Sequence, residues 1–146
     1  MKKIIILGTI IMLLFVTGCG KKGADDIIKE LDKKISSATT YQLEGALQIT
    51  NNDDTYNYDV VVSFEEPSKY RVSLTNTSND HEQIILKNDE GVYVVTPSLN
   101  KSFKFQSDWP NNNSQVYLLD SLLKDIKNDE ERVFEEVSDG YIITTK

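Results

Sequence analysis

The sequence predicts an α+β domain in which a curved antiparallel sheet is covered by two amphipathic helices, and three patterns carry that prediction. Between Tyr41 and Phe105 apolar residues recur with a period of two. Clusters of Asn, Asp, Ser and Gly interrupt those runs at short intervals, so consecutive strands pair as a meander. The flanking segments 24–37 and 107–129 carry apolar residues at helical spacing instead. A sheet with one apolar face needs a cover, and these two segments can supply it.

In the first helical segment Ile27, Ile28, Leu31 and Ile35 share a face, with Asp25 and Asp26 in the first turn, where carboxylates favour the positive end of the helix dipole. Beyond Thr40 the period becomes two. Tyr41, Leu43, Leu47 and Ile49 alternate with polar residues, "NNDD" (51–54) turns the chain, and Tyr56, Tyr58, Val60, Val62 and Phe64 alternate in the next strand. Pro67 breaks the run, after which Tyr70, Val72 and Leu74 share a face. "HEQIILK", "VYVVTP" and the Phe103/Phe105 stretch complete six strands. The second helical segment opens on Pro110 and an Asn/Ser cluster, which act as start signals. Val116, Leu119, Leu122, Leu123 and Ile126 line one face of it, with Leu118 at the edge. "RVFEEV", the turn "SDG" and "YIITTK" add two strands. A sheet curving around helices leaves a hydrophobic cleft between its layers.

The N-terminus speaks to location. Met1, Lys2 and Lys3 precede an apolar run from Ile4 to Val16, about 20 Å long if helical. That is too short to cross a bilayer, which takes roughly 20 residues, but it suits the core of an export signal. Val16-Thr17-Gly18-Cys19 resembles a bacterial lipobox. By that resemblance residues 1–18 are a lipoprotein signal peptide, and Cys19 carries the lipid that anchors the protein to the outer face of the cytoplasmic membrane. Residues 19–23 form a short tether and residues 24–146 the folded domain. Cys19 is the sole cysteine, so a disulfide within the chain is excluded.

Charge narrows the function. The chain has 16 basic and 23 acidic residues, and cleavage after Gly18 would remove two of the lysines. An anionic surface argues against nucleic acid and leaves membrane attachment to the acyl chains. His81 is the sole histidine and lacks companions for a zinc or copper site. Asn51–Asp54 and Asn88–Glu90 offer oxygen ligands but not the spacing of a calcium loop, and read as turns. Glu65/Glu66 and Glu135/Glu136 are adjacent in strands and point to opposite faces. With no nucleophile motif, the expectation is a non-enzymatic protein without metal or cofactor. Arg71 reads as a surface or rim residue.

Three phrases, "PSKYRVSL" (67–74), "QIILKNDEGVYVVTP" (83–97) and "YLLDSLLKDI" (117–126), resemble the LolA/LolB superfamily of lipoprotein carriers. "FKFQSDWPNNNSQVYLLDSLLKDI" is similar to its lipid-anchored Gram-positive branch, the YdcC and GerS types of sporulation and germination lipoproteins. The resemblance implies an incomplete barrel with a helical lid over an apolar cavity. In carriers that cavity holds acyl chains; in the germination branch it implies partnership with a cortex amidase. Further strands usually follow in the family, so the domain is expected to be C-terminally truncated, with an open sheet edge that offers a route to homodimerisation.

Two functions follow. In the first, the domain binds a lipid, acyl or lipoprotein ligand in a cleft lined by Tyr58, Val60, Val62, Tyr70, Val72, Leu119, Leu122 and Leu123. In the second, it is a protein-interaction lipoprotein that supports a cell-envelope or spore-cortex enzyme. The anchor has its own test: Cys19→Ser should leave an uncleaved precursor that takes up no labelled fatty acid in cells. Normal acyl incorporation by that variant would refute the lipobox.

Overall fold

The cross-strand register arranges the apolar side chains of the sheet in rows, and the longest of these rows organises the domain. The computed structural model describes residues 22–106, 109 and 115–146; Cys19 and the leader lie outside them. Two compact units are distinguished, residues 1–31 and 32–146. The described part of the first contains the opening turns of helix α1 (Ala24–Ser36), with Asp25 and Asp26 at its start and Lys33 and Lys34 at its end.

The second unit contains a six-stranded antiparallel meander of β1 (Thr40–Asn51), β2 (Asp54–Glu65), β3 (Lys69–Asn76), β4 (Glu82–Asn88), β5 (Gly91–Thr96) and β6 (Lys101–Phe105). Each strand pairs with its sequence neighbours, in the order β1-β2-β3-β4-β5-β6. The sheet is not closed. Turn chemistry fixes the pairing: Asn52 takes a left-handed φ of 55° in the two-residue β1–β2 turn, a conformation Asn tolerates well. Asn88 Oδ1 accepts from the N–H groups of Glu90 and Gly91 in the β4–β5 turn. Gly91, at φ 137°, lies so close to Lys104 that a Cβ would sit 2.9 Å from Cε.

The register aligns Leu43, Val62, Val72, Ile85, Val94 and Phe103 in one apolar row across all six strands. Val62 and Val72 are directly opposite each other and wholly buried, at 0% exposure. Burying such a side chain contributes about 1.5–3 kcal/mol. In the neighbouring row Tyr41 stacks on Phe64 and Phe64 tilts against Tyr70, with successive centroids 4.9 Å apart, and the row ends edge-on against Trp109 at 5.4 Å.

Helix α2 spans Leu119–Asn128, a later start than the sequence signals at Pro110 predict. Its N-cap is Leu118, in extended conformation and without a side-chain cap. The reason is burial. Leu118 is only 3% exposed and belongs to the core with Trp109, Val60, Val62, Val72 and Val92. Packing decides where the helix begins, at the expense of a polar cap. Val116, expected on the apolar helix face, precedes the helix and is 52% exposed. The cover of the core therefore starts ahead of α2, with Trp109, Tyr117 and Leu118. Leu123 is buried within the helix.

Strands β7 (Val133–Val137) and β8 (Gly140–Thr144) form a separate two-stranded sheet. The expectation that a single curved sheet holds the strands is thus met for six of them and corrected for the last two. A tight turn pairs β7 with β8 locally, and Phe134 stacks on Tyr141 at 5.1 Å. Asp129 ties this hairpin to the end of α2 by accepting from the Glu131 and Lys146 N–H groups at 2.8 and 2.9 Å.

Truncating the central row or its cover tests this hierarchy. Val62→Ala and Leu118→Ala should each destabilise the protein by about 2–4 kcal/mol, whereas Val133→Ala on the exposed hairpin should cost less than about 0.5 kcal/mol. Urea denaturation followed by circular dichroism measures all three; equal effects would contradict the assignment of the core.

Candidate functional site

The apolar face of the sheet is covered only in part. Leaving the covered centre, the rows change character. The row through Val60 and Leu74 ends on Gln83, and the row through Leu47 and Tyr58 ends on Asn76. Here the structure has an open groove of about 450 Å³. Leu47, Ile49, Tyr58 and Leu74 form its apolar wall; Asn76, Asn79, His81, Glu82, Gln83 and Thr96 form its polar one. The β3–β4 turn sets the rim, where Asn76 Oδ1 accepts from Ser78 N–H at 2.9 Å and Asn79 Oδ1 from His81 N–H at 3.1 Å. Ile49 and Tyr56 remain nearly half exposed on the same face.

A smaller pocket of about 210 Å³ opens beside β1, with Val60, Leu43, Leu47, Tyr117 and Leu122 around it. Gly45 causes it: on the apolar face between Leu43 and Leu47, a Cβ at this position would meet nothing within 4 Å.

The residues expected to line one cleft are dispersed. Tyr58 lies in the large groove, while Val60 and Leu122 meet at the small pocket. Val62 and Val72 fill the core, and Tyr70 belongs to the aromatic row. Leu119 opens α2, half-buried, and Leu123 is buried in it. Leu47, Ile49 and Leu74, which line the groove, were absent from that set although their alternation was plain. Gly45 was the available signal for the pocket, as the one inward position of β1 without a side chain. His81 is exposed at the groove rim. Arg71 reaches Glu82 at 3.4 Å, and Glu82 also accepts from the buried Ser73 hydroxyl. Both Asn/Asp clusters form turns. Among the described residues no group of His, Cys, Asp or Glu is placed to hold a metal ion.

The most perturbed phenols lie where the aromatic row of the sheet meets its cover. Burial pushes the Tyr41 phenol well above its ordinary range, with the Tyr70 phenol and the Asp120 carboxylate adding to the effect. Burial and Asp120 likewise raise Tyr70, and burial raises Tyr117. Tyr117 is hydrogen-bonded to Trp109, whose indole N–H is the donor. The Tyr41 hydroxyl is buried without a well-formed hydrogen bond.

No protein-family profile matches the chain. It is similar to the sporulation protein YdcC of Bacillus subtilis (strain 168), 43% identical over 143 residues, which is 98% of this chain and 42% of the relative. The chain thus spans less than half the length of that curated relative. Among solved structures, one chain of a complex between the CwlD amidase from Clostridioides difficile and the GerS lipoprotein aligns at 14% identity, with a TM-score of 0.33 over 82% of this chain and 66% of that chain.

The phenols give a pH signature. Because folding raises their pKa values, the stability they contribute is complete below the unfolded value of about 10 and is lost as pH climbs through the folded ones. Urea midpoints should fall above about pH 10, less steeply in Tyr41→Phe. At neutral pH that variant should match the wild type within about 1 kcal/mol, since the buried hydroxyl it removes has only a loose hydrogen bond, to Tyr70. Parallel alkaline profiles would remove Tyr41 from this account.

Proposed function

We propose that this chain serves spore formation as a non-enzymatic, membrane-anchored protein that docks another envelope protein on the open face of its sheet. The observation carrying the sporulation assignment is the 43% identity, over nearly the whole chain, to a protein named for sporulation. The lipobox at Val16–Cys19 supports anchoring through Cys19 at the outer face of the cytoplasmic membrane. The open meander, the partial cover and the apolar groove support a LolA-like fold.

The groove favours a protein over a lipid. An acyl chain laid along it would strip water from the polar wall and offer no hydrogen bond to the Gln83 amide, at roughly 1–3 kcal/mol for each uncompensated group. A protein surface can satisfy those groups and still cover Leu47, Ile49 and Leu74. The partner class implied by the family resemblance is a cell-envelope or spore-cortex enzyme. The aliphatic wall favours one second reading, an apolar ligand held against Leu47, Ile49 and Leu74.

Disrupting the gene in the source organism should lower heat-resistant spore counts or spore germination; unchanged values for both would overturn the sporulation assignment. A photo-crosslinking residue at position 49, introduced into the full-length protein in sporulating cells, should capture a protein, and Leu74→Lys should abolish the adduct. Capture of lipid alone would overturn docking in favour of the second reading.

A further inference from the structure

The two edges of the meander are built differently. β6 is five residues long and carries Lys101 and Lys104, the blunting by shortness and lysine that protects edges from unwanted pairing. β1 is twelve residues long, contains no lysine, arginine or proline, and pairs with β2 without interruption from Thr40↔Glu65 to Asn51↔Asp54. No bulge twists it away. Among the described residues no strand pairs with its outer side, so a run of backbone N–H and C=O groups is left for another strand.

Against that edge lies the gap at Gly45. Its volume of about 210 Å³ falls below the roughly 300–1,000 Å³ of pockets that enclose small-molecule ligands, and suits a single aliphatic side chain. Leu43 and Leu47 flank it, Val60 forms its floor, and Tyr117 and Leu122 form the wall from the covering segment. Acidic residues lie on both sides of it. Glu44 and Asp59 lie near the edge on the other face of the sheet, and Asp120 starts α2. None of the three forms an ion pair with a lysine or arginine among the described residues; Glu44 accepts only from Gln42, at 2.8 Å.

We propose that the outer edge of β1 binds an extended peptide segment of a partner protein, adding it to the sheet as a strand. One Leu- or Ile-sized side chain of that segment fills the gap at Gly45, and flanking lysines or arginines meet Glu44 and its neighbours. The backbone supplies the affinity, the gap fixes the register, and the acidic rim selects the charge. This deepens the protein-docking reading, and the two can fail separately, because position 49 reports the groove and position 45 the edge.

The test uses the full lipidated protein in detergent micelles and a fluorescein-labelled peptide, Lys-Thr-Lys-Leu-Thr-Lys-Thr, followed by fluorescence anisotropy. Replacing the peptide's Leu by Ser, or introducing Gly45→Val into the protein, should each weaken binding by roughly tenfold or more. Gly45→Val has open space for its side chain and adds a strand-favouring residue, so its circular dichroism should match the wild type. Glu44→Lys should weaken the same peptide, and added salt should weaken wild-type binding. Binding indifferent to Gly45→Val, or absent for both peptides, overturns the proposal. A dimer that Gly45→Val converts to monomer also overturns it, by assigning the edge to a second copy of the chain.

Discussion

The structure depends on the contact between Val62 and Val72, two wholly buried side chains on adjacent strands at the centre of the apolar row. Everything that positions the candidate sites is referred to that contact. It sets which face of the sheet is inward, and because side chains alternate along a strand, a slip of one residue would bring Gln42, Glu44, Ser63 and Arg71 to the core face. It also gives Leu118 and Trp109 something to cover, which in turn decides where α2 begins. The groove and the Gly45 pocket are the parts of the same face that this cover leaves open.

Much of this was legible in the sequence because it is written in local periodicity. The six strands, their order and their inward residues follow from alternation and turn chemistry. The start of α2 did not, since Pro110 and the Asn/Ser cluster are ordinary start signals whereas Leu118 caps the helix only because the core needs its side chain. The separate pairing of β7 with β8 was equally hidden: "RVFEEV" and "YIITTK" read as strands whichever sheet they join. The residues named for one cleft are spread over the groove, the small pocket and the core for a related reason. Alternation identifies an apolar face but not which part of it a distant segment covers, and Val62 and Val72 turned out to lie beneath the cover.

The two open features differ in chemistry. The groove mixes leucine, isoleucine and tyrosine with amides, a histidine and a carboxylate, so an occupant must be apolar on one side and hydrogen-bonding on the other. The β1 edge is narrower in its demands, asking for an extended backbone, one aliphatic side chain and positive charge. Leu47 borders both. Two occupants on adjacent stretches of one strand would therefore sense each other through a shared side chain, and a single larger partner could engage both.

The strictly sequential order of the meander has a consequence for how the chain acquires its structure. Each sheet strand pairs only with the strand before or after it, so the ladders close loops of a few residues and carry little entropic penalty. Such a topology can zip from its hairpins as the chain emerges, before the later segments exist. What spans long sequence separation is the docking of Trp109 and Leu118 onto β2 and β3. The long-range contacts of this domain are thus concentrated in the cover, while the sheet is built from local pairings.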